Sequence, residues 1–418
     1  MQFTIGLLMV FKSIASRDLV KHSFAAHSRI LRVRKRIGLS ALYWGFLTTF
    51  ATAAQFVQAA NQGIGPRSII IGQSAAFSGP SAQLGREFRR GAHYAFNEVN
   101  AHGGVHGRQI ITLYRDDGYE PNNARNNTSL FLKRDKVFAL FGYVGTATVL
   151  ASLPLIQSES APLIAPVTGA QAIRMPLQRL VFNLRASYHQ EIALLVDYFV
   201  RFGRKAIAVV YQNDAFGLDG LRGVKTSLQQ RGLMLVAAEP VERNSSDTLE
   251  AARRIARAKP EAVLLISSYG TNASFIECFR RLGGSAQIAN LSFVGSNALA
   301  NALPPPLRHG IAISQVVPFP WNPRYRIVRE YQRAMQISDS EGGYSFSSLE
   351  GYMAAQLLIR ALEKAGPALT RESLITALES LRQTDLGDYQ INISPSSHSD
   401  SSFVQLTFLN GEHGAFIH

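Results

Sequence analysis

Short apolar runs alternate with stretches of helical spacing through most of the chain after residue 67. The apolar runs resemble strands that are buried in parallel sheets, and they lie at 69–71, 110–114, 137–143, 163–165, 207–211, 262–267 and 292–294. Apolar residues recur at helical spacing over 190–202, 217–231, 247–258 and 272–282. This alternation predicts an α/β protein with doubly wound parallel sheets.

The C-terminal part of the chain has a different pattern. Three helical stretches follow one another at 324–335, 349–364 and 371–381. Two strand-like runs come last, at 389–393 and 403–409, around the polar loop SPSSHSDSS. Composition alone does not show how this part joins the earlier units.

The turn after the first predicted strand is a candidate binding segment. It reads SAAFSGPSAQLG, in which Gly79 and Pro80 carry turn chemistry, and a helical pattern with Phe88 and Ala92 follows. In an open parallel sheet such a turn lies beyond the carboxyl end of its strand, where ligands are held.

Two later strand ends combine threonine with glycine, in GTAT at 145–148 and PVTGA at 166–170. Backbone N–H groups at a helix start, together with a threonine hydroxyl, can donate hydrogen bonds to a carboxylate. Glycine allows close approach of a ligand to the backbone. Helix capping by threonine is the alternative for either segment alone. Their repetition on consecutive strands favours ligand contact at Thr146, Thr168 and Gly169.

The first 59 residues differ from the rest in charge. Eight Lys and Arg residues face only Asp18, so this segment carries +7 of the total +14. An uncharged run follows and ends in Val57-Gln58-Ala59, which predicts a secretory signal peptide that is cleaved near Ala59. A membrane anchor is the alternative, because the uncharged run is long enough to span a bilayer. A misassigned upstream start codon would explain the residues that precede the basic cluster.

Cysteine and charge narrow the class of protein further. Cys278 is the only cysteine, so we expect no intrachain disulfide and no lipid-modified N-terminal cysteine. The exported protein is then expected to diffuse freely and not to be a lipoprotein. The other basic residues are scattered along helical stretches such as EAARRIARAK, which indicates solvated helix faces and no nucleic-acid binding.

We find no pattern in the sequence that indicates catalysis, a metal ion or a cofactor. His102 and His106 are separated by two glycines, which break the helix that a metal site at this spacing would need. Asp116 and Asp117 are adjacent, and this suits a turn better than a pair of acid and base. The expectation is therefore a protein that is not an enzyme.

Several segments together resemble a known family. They read FSGPSAQLGREFRRGAHYAFNEVNAHGGVHGRQI, RDDGYEP, YVGTATVLASLPLIQSESAPLIAPVTGA, VFNLRASYHQE, VVYQNDAFGLDGL, FVGSNALANAL and SLEGYMAAQLLIRALEKAG. Their content and order are similar to the leucine/isoleucine/valine-binding family of periplasmic solute receptors, over roughly residues 67 to 410.

The resemblance implies the type I periplasmic binding protein fold, in which two lobes are joined by three hinge crossovers. These would lie near Ala186, Pro318 and Leu386. Lobe one would hold residues 67–185 and 320–385, and lobe two 186–319 and 386–418. The expected motion is a hinge closure over a ligand in the cleft between the lobes.

The resemblance also implies a set of pocket residues. Thr146 matches the hydroxyl that meets the ligand carboxylate, and the segment with Thr168 and Gly169 matches its neighbour. Tyr269 matches a pocket tyrosine, and Tyr188 lies at the first crossover, where it could line the cleft. For the aromatic residues, packing in the core is the alternative.

Three positions depart from the relatives that bind amino acids. Leu84 stands where they have an aromatic side chain, and Phe216 stands where they have tyrosine. Asn297 lies in the region where they have an acidic side chain for the ligand ammonium. A neutral amide leaves a buried ammonium without its counter-charge, so we expect a ligand that has a carboxylate but not necessarily an α-amine.

The resulting expectation is a monomeric periplasmic receptor of an ABC importer. It would capture a small amino acid, organic acid or amide and present it to an inner-membrane ABC permease. A ligand-sensing component of a signalling system, with the same fold but not coupled to transport, is the alternative.

Overall fold

The computed structural model describes residues 62–338, 343–399, 401–410 and 415–417. The predicted signal peptide within 1–59, and its cleavage site, lie outside the described residues. The chain divides into two units, Met1–Ala59 and Ala60–His418, and the described residues all belong to the second. Within the described ranges, we find no helix that combines the length and the apolar character needed to cross a membrane.

The first sheet contains five parallel strands in the order β2-β1-β3-β4-β5. They are β1 Ser68–Ala75, β2 Gln109–Asp116, β3 Ala139–Phe141, β4 Leu163–Ile164 and β5 Val181–Phe182. The helices between them are α1 Ala82–Ala101, α2 Pro121–Ser129, which continues into a π-helical turn at Leu130–Arg134, and α3 Thr146–Ser158.

The second sheet has seven strands in the order β14-β13-β10-β9-β8-β6-β7. They are β6 Ile207–Gln212, β7 Leu235–Val241, β8 Ala262–Ile266, β9 Gln287–Asn290, β10 Ala312–Gln315, β13 Gln405–Asn410 and β14 Ala415–Ile417. Strands β6 to β10 pair in parallel, whereas β13 pairs antiparallel with β10 and with β14. The helices in this part are α4 Tyr188–Arg201, α5 Ala215–Gln229, α6 Leu249–Arg257, α7 Tyr269–Arg281 and α8 Ser296–Ala302.

The chain then leaves the second sheet and returns to the helices of the first. Helices α9 Arg326–Ser338 and α10 Phe346–Ala365 pack against α1, and α11 Arg371–Glu379 packs against α10. Two glycines allow α1 and α10 to touch: a Cβ on Gly91 would lie 1.7 Å from the Ser348 carbonyl oxygen, and one on Gly351 would lie 2.0 Å from that of Phe88.

A small antiparallel pair, β11 Thr384–Asp385 and β12 Gln390–Ile391, precedes the return to the second sheet at β13. The parallel first sheet, the mainly parallel second sheet and this interleaved path confirm the predicted fold class. The residue bounds of the two lobes stay a prediction.

Helix α4 shows how local sequence sets an element. Ser187 accepts a hydrogen bond from the N–H of Gln190, and the Gln190 side chain accepts one from the N–H of Ser187, which forms a capping box. Apolar side chains then recur on the buried face, at Ile192, Leu195, Val196 and Phe199. The cap fixes where the helix begins, and therefore where Tyr188 points.

Three local predictions were wrong. Residues Ser292–Val294 form a 3-10 turn instead of a strand, and the strand is β9, whose polar ends, Gln287 and Asn290, disguise it in the sequence. Leu84, expected in a loop, lies in the first turn of α1. The segment 166–170 leads into a 3-10 turn at Gln171–Ile173 and not into a full helix.

Candidate functional site

The carboxyl ends of strands from both sheets meet in one region. Leu84, after β1, lies against Gly295, after β9: its Cδ1 is 3.7 Å from where a Cβ on that glycine would be. The neighbouring Gln83 N–H donates to the Tyr269 hydroxyl, after β8, at 3.4 Å. Ligands of parallel sheets are held at such strand ends, which makes this junction the candidate site.

Thr146 and Thr168 form a pair that we call the threonine corner. Their hydroxyl oxygens are 2.7 Å apart, and both side chains are fully buried. Thr146 is the first residue of α3, directly after Gly145, whose φ of 104° favours glycine. The first N–H groups of a helix have no partner within it. The corner therefore combines two hydroxyls with a helix start.

Gly169 and Tyr188 extend the corner toward the second sheet. The N–H of Tyr188 donates to the Gly169 carbonyl at 2.8 Å, and a Cβ on Gly169 would lie 2.6 Å from the tyrosine ring. Tyr188 is fully buried, and its hydroxyl has no hydrogen-bond partner among the described residues. Burial raises the pKa of Tyr188 to about 12, against the influence of the nearby Arg185 guanidinium.

An aromatic cluster continues from Tyr188 into the second sheet. Ring centroids are 5.0 Å apart for Tyr188 and Phe216, 4.8 Å for Phe216 and Phe293, and 5.9 Å for Phe293 and Tyr119. All four rings are buried. Sequence reasoning missed Tyr119 and Phe293, although both lie inside the segments RDDGYEP and FVGSNALANAL, which carried the family resemblance.

The other predicted site residues lie along the same junction. Tyr269 is half-buried and contacts the start of α1. Asn297, on α8, donates from its amide to the Tyr344 carbonyl at 3.4 Å, and its Oδ1 is buried without a partner among the described residues. The structure thus joins five of the predicted residues in one chain of contacts: Thr146, Thr168, Gly169, Tyr188 and Phe216. The other three, Leu84, Tyr269 and Asn297, make the separate contacts described above.

A buried ion pair lies at the first crossover, just before α4. Arg185 donates to both carboxylate oxygens of Glu350, at 2.9 and 3.0 Å, and to the Ser292 hydroxyl at 3.1 Å. Burial acts to lower the pKa of Arg185, but the carboxylates of Glu350 and Glu191 outweigh it and the pKa is raised. This pair, which sequence reasoning did not single out, ties α10 to the crossover.

Glu191 lies beside that pair, in the first turn of α4. One carboxylate oxygen accepts from the Ser292 N–H at 2.8 Å and from the Ser314 hydroxyl at 2.6 Å. The other oxygen has no partner among the described residues. Burial raises the pKa of Glu191, against the influence of Arg185, so negative charge on it is disfavoured.

A second set of contacts bridges the sheets at residues 243 and 244. Arg243 pairs with Asp214 at 2.6 Å and approaches Glu120, from the first sheet, at 3.7 Å. Asn244 donates to the Gly118 carbonyl at 3.3 Å and to the Glu120 carboxylate at 2.9 Å. Its φ is 55°, a left-handed conformation that Asn tolerates better than most residues.

The adjacent aspartates hold the turn before Tyr119, as predicted. Asp116 accepts from the N–H groups of Phe77 at 2.8 Å and Gly118 at 3.0 Å. Asp117 is buried and accepts from the Ser74 hydroxyl at 2.7 Å and the Tyr119 N–H at 2.8 Å. Burial raises the pKa of Asp117 to about 7.

His102 and His106 are exposed. In the part of the chain that the structure describes, no three His, Cys, Asp or Glu side chains are placed to hold a metal ion.

Comparison with known proteins agrees with this architecture. A family model described as "Periplasmic binding protein" matches residues 68–402. The Leu/Ile/Val-binding protein homolog 7 of Brucella abortus (strain 2308) is 26% identical over 325 residues, which cover 74% of this chain and 80% of that protein.

Two crystal structures have closely similar folds. One is "a possible leucine/isoleucine/valine-binding protein from Rhodopirellula baltica SH 1", with a TM-score of 0.80 and 32% identity over 84% of this chain and 96% of that one. The other is a substrate-binding periplasmic protein from Ralstonia solanacearum, with a TM-score of 0.79 and 31% identity over 84% of this chain and 99% of that one. The chain therefore belongs to the periplasmic binding protein family and has its type I fold.

Proposed function

We propose that this protein is the solute receptor of an ABC importer and binds a small carboxylate-bearing solute at the threonine corner. One observation carries the proposal: two buried hydroxyls from consecutive strand ends, Thr146 and Thr168, lie 2.7 Å apart at the start of a helix. One hydroxyl donates to the other, which leaves one hydroxyl proton for a carboxylate, together with the positive end of the helix dipole. The names of the relatives, which refer to leucine, isoleucine and valine, support this class of solute.

The binding residues that we propose are those expected from the sequence: Leu84, Thr146, Thr168, Gly169, Tyr188, Phe216, Tyr269 and Asn297. They lie at strand ends of both sheets, so a solute among them would be enclosed when the two lobes approach each other. We propose that this closure forms the surface that an inner-membrane permease reads. A monomer in the periplasm, without catalytic activity, fits this role.

The neutral Asn297 bears on the class of solute. Its amide is engaged with the Tyr344 carbonyl and brings no negative charge to the junction. An ammonium enclosed there would lack a counter-charge at this position. We therefore propose that the solute does not need an α-amine.

A binding screen tests the proposal. The chain from Ala60 onward is heated in the presence of amino acids, aliphatic acids, aromatic acids and amides, and a solute at a hundredfold its Kd should add about 2.7 kcal/mol to the stability. Calorimetric titration then compares leucine with 4-methylpentanoate, which lacks the amine. No thermal shift with any solute would contradict the receptor function, and tight binding of leucine alone would contradict the dispensable amine.

A matched pair of variants locates the carboxylate. Thr146→Val keeps the side-chain shape but removes the hydroxyl, and we expect at least about tenfold weaker binding, as for the loss of a hydrogen bond to a charged group. Thr128→Val is the control, because Thr128 is equally buried but bonds to the Ala124 carbonyl, away from the corner. Equal binding by both variants would place the carboxylate elsewhere.

A further inference from the structure

The aromatic cluster draws its four rings from four different strand ends. Tyr119 follows β2 and Tyr188 follows β5 in the first sheet, whereas Phe216 follows β6 and Phe293 follows β9 in the second. No sequence neighbourhood links them. Their meeting at the junction of the sheets makes a continuous aromatic surface beside the threonine corner, because Tyr188 belongs to both.

Among the described residues, two buried polar atoms lack partners within the cluster and the side chains that hydrogen-bond directly to its rings. The Tyr188 hydroxyl is one, and Gln212 Oε1 is the other. The Gln212 amide donates to the Tyr119 hydroxyl at 3.2 Å and to Asp214 at 2.6 Å, so the nitrogen is satisfied while the oxygen is not. Both side chains are fully buried. Buried polar groups almost always have hydrogen-bond partners. This surface therefore lacks a donor for Gln212 Oε1 and an acceptor for the Tyr188 hydroxyl.

The charges around the cluster argue against a cationic group. Asp214 is paired with Arg243 and also accepts from the Phe216 N–H at 2.9 Å. Glu350 is paired with Arg185, and burial disfavours negative charge on Glu191. The Asp214 and Glu350 carboxylates near the rings are therefore already neutralised by Arg243 and Arg185.

We propose that the solute is an aromatic carboxylic acid whose ring bears a hydrogen-bond donor such as a hydroxyl. Its carboxylate accepts from the threonine corner and the Tyr188 hydroxyl, its ring packs on Phe216, Phe293 and Tyr119, and its ring donor meets Gln212 Oε1. This inference rests on the proposed receptor function and makes Tyr119, Gln212 and Phe293 further determinants of specificity.

Calorimetry on the unaltered protein compares four acids: 4-hydroxybenzoate, 3-hydroxybenzoate, benzoate and cyclohexanecarboxylate. Benzoate and cyclohexanecarboxylate share size and charge, but only benzoate has a flat aromatic ring. We expect benzoate to bind about tenfold more tightly than cyclohexanecarboxylate, since a favourable aromatic pair contributes roughly that factor beyond its buried area. We expect at least one hydroxybenzoate to bind more tightly than benzoate.

Variants assign the effect to the rings. Phe293→Leu should lower the affinity for the aromatic acids about tenfold and reduce the preference over cyclohexanecarboxylate. Phe275→Leu is the matched control, because Phe275 is a buried ring stacked on Phe279 at 5.6 Å in the core of the second sheet. Gln212→Leu should remove the advantage of the hydroxybenzoates over benzoate.

The outcomes separate the two proposals. If 4-methylpentanoate or cyclohexanecarboxylate binds as tightly as benzoate, the aromatic inference is overturned and the carboxylate receptor stands. If neither these acids nor any solute of the screen binds, the receptor function itself is contradicted. Because the comparison of acids needs no variant, the inference stays testable even if Phe293→Leu fails to fold.

Discussion

Gly169 shows how a single residue shapes the candidate site. It lies in the gap between the threonine corner and Tyr188, and its carbonyl accepts from the Tyr188 N–H at 2.8 Å. A Cβ there would lie 2.6 Å from both the ring Cδ1 and the backbone nitrogen of Tyr188. The backbone atom cannot swing away as a flexible side chain could, so glycine is needed for close approach and not for an unusual φ.

We predict that Gly169→Ala lowers the free energy of unfolding by about 1 to 3 kcal/mol, because the added methyl overpacks the site. Urea unfolding measures the change. Gly270→Ala is the control: it lies in helix α7, its nearest neighbours are 3.7 Å away, and alanine there should be neutral or stabilising. Equal effects of both substitutions would show that the contact with Tyr188 is not tight.

Asp117 gives a prediction about pH. Its pKa is raised from 3.8 to about 7, chiefly by burial. Between those values the folded protein holds a proton that the unfolded chain releases. The free energy of unfolding therefore falls as the pH rises through this window, by up to about 1.4 kcal/mol per pH unit from this group.

Asp117→Asn should remove that contribution. Between pH 5 and pH 7, we expect the parent protein to lose about 2 kcal/mol more stability than the variant. Urea unfolding at both pH values measures the difference. Asp247→Asn, at an exposed position, should keep the parent's pH dependence. An unchanged slope in Asp117→Asn would show that the buried carboxyl does not titrate in this range.

At the scale of elements, helix α10 is attached to two distant parts of the chain. Its glycine contact joins it to α1, and Glu350 joins it to Arg185 at the first crossover. Both charged groups are buried, with side-chain exposures of 2% and 7%. Loss of one partner leaves a charge uncompensated in the interior, whereas loss of both does not.

We predict that Glu350→Gln lowers the free energy of unfolding by roughly 3 kcal/mol. The double substitution Arg185→Met with Glu350→Leu should recover more than half of that loss, since apolar side chains of similar volume replace the pair. Chemical unfolding of both variants decides this. A double variant that is less stable than Glu350→Gln would contradict the argument and indicate that the Ser292 contact matters more.

Some strands were located correctly from the sequence and others were not, and the difference has a physical reason. Strands such as β6 and β8 are short apolar runs that stand out because both faces of a parallel sheet are buried. Strand β9 carries a buried Asn290, whose oxygen accepts from Asn272 at 2.9 Å. A polar residue whose partner lies on another element looks like a strand end in the sequence, and the strand was placed five residues too late.

At the scale of the whole molecule, the two sheets are held together by contacts between their loops. Asn244 makes three such contacts: it donates to Gly118 and Glu120, and it accepts from the Ser81 hydroxyl at 3.3 Å. These bonds exist only when the two sheets are close, so they favour a closed arrangement. Each is expected to contribute on the order of 1 kcal/mol.

We predict that Asn244→Gly shifts the solute-free protein toward a more open form, with a larger radius of gyration in small-angle X-ray scattering. Glycine removes the side chain and accepts the φ of 55° without strain. Asn213→Gly is the control, because its amide bonds to Glu242 within the second sheet. The same radius in the parent and in Asn244→Gly would show that these bonds do not govern closure.

Local patterns in the sequence determined the alternation of strands and helices, the family and the segments that lie at strand ends, because periodicity, caps and turn residues act within a few positions. Only the tertiary structure decided which segments meet. Tyr119 touches Phe293, Arg185 pairs with Glu350, and Asn244 reaches Glu120. Each of these pairs is separated by more than 120 residues, and the crossings of the chain between its two sheets bring them together.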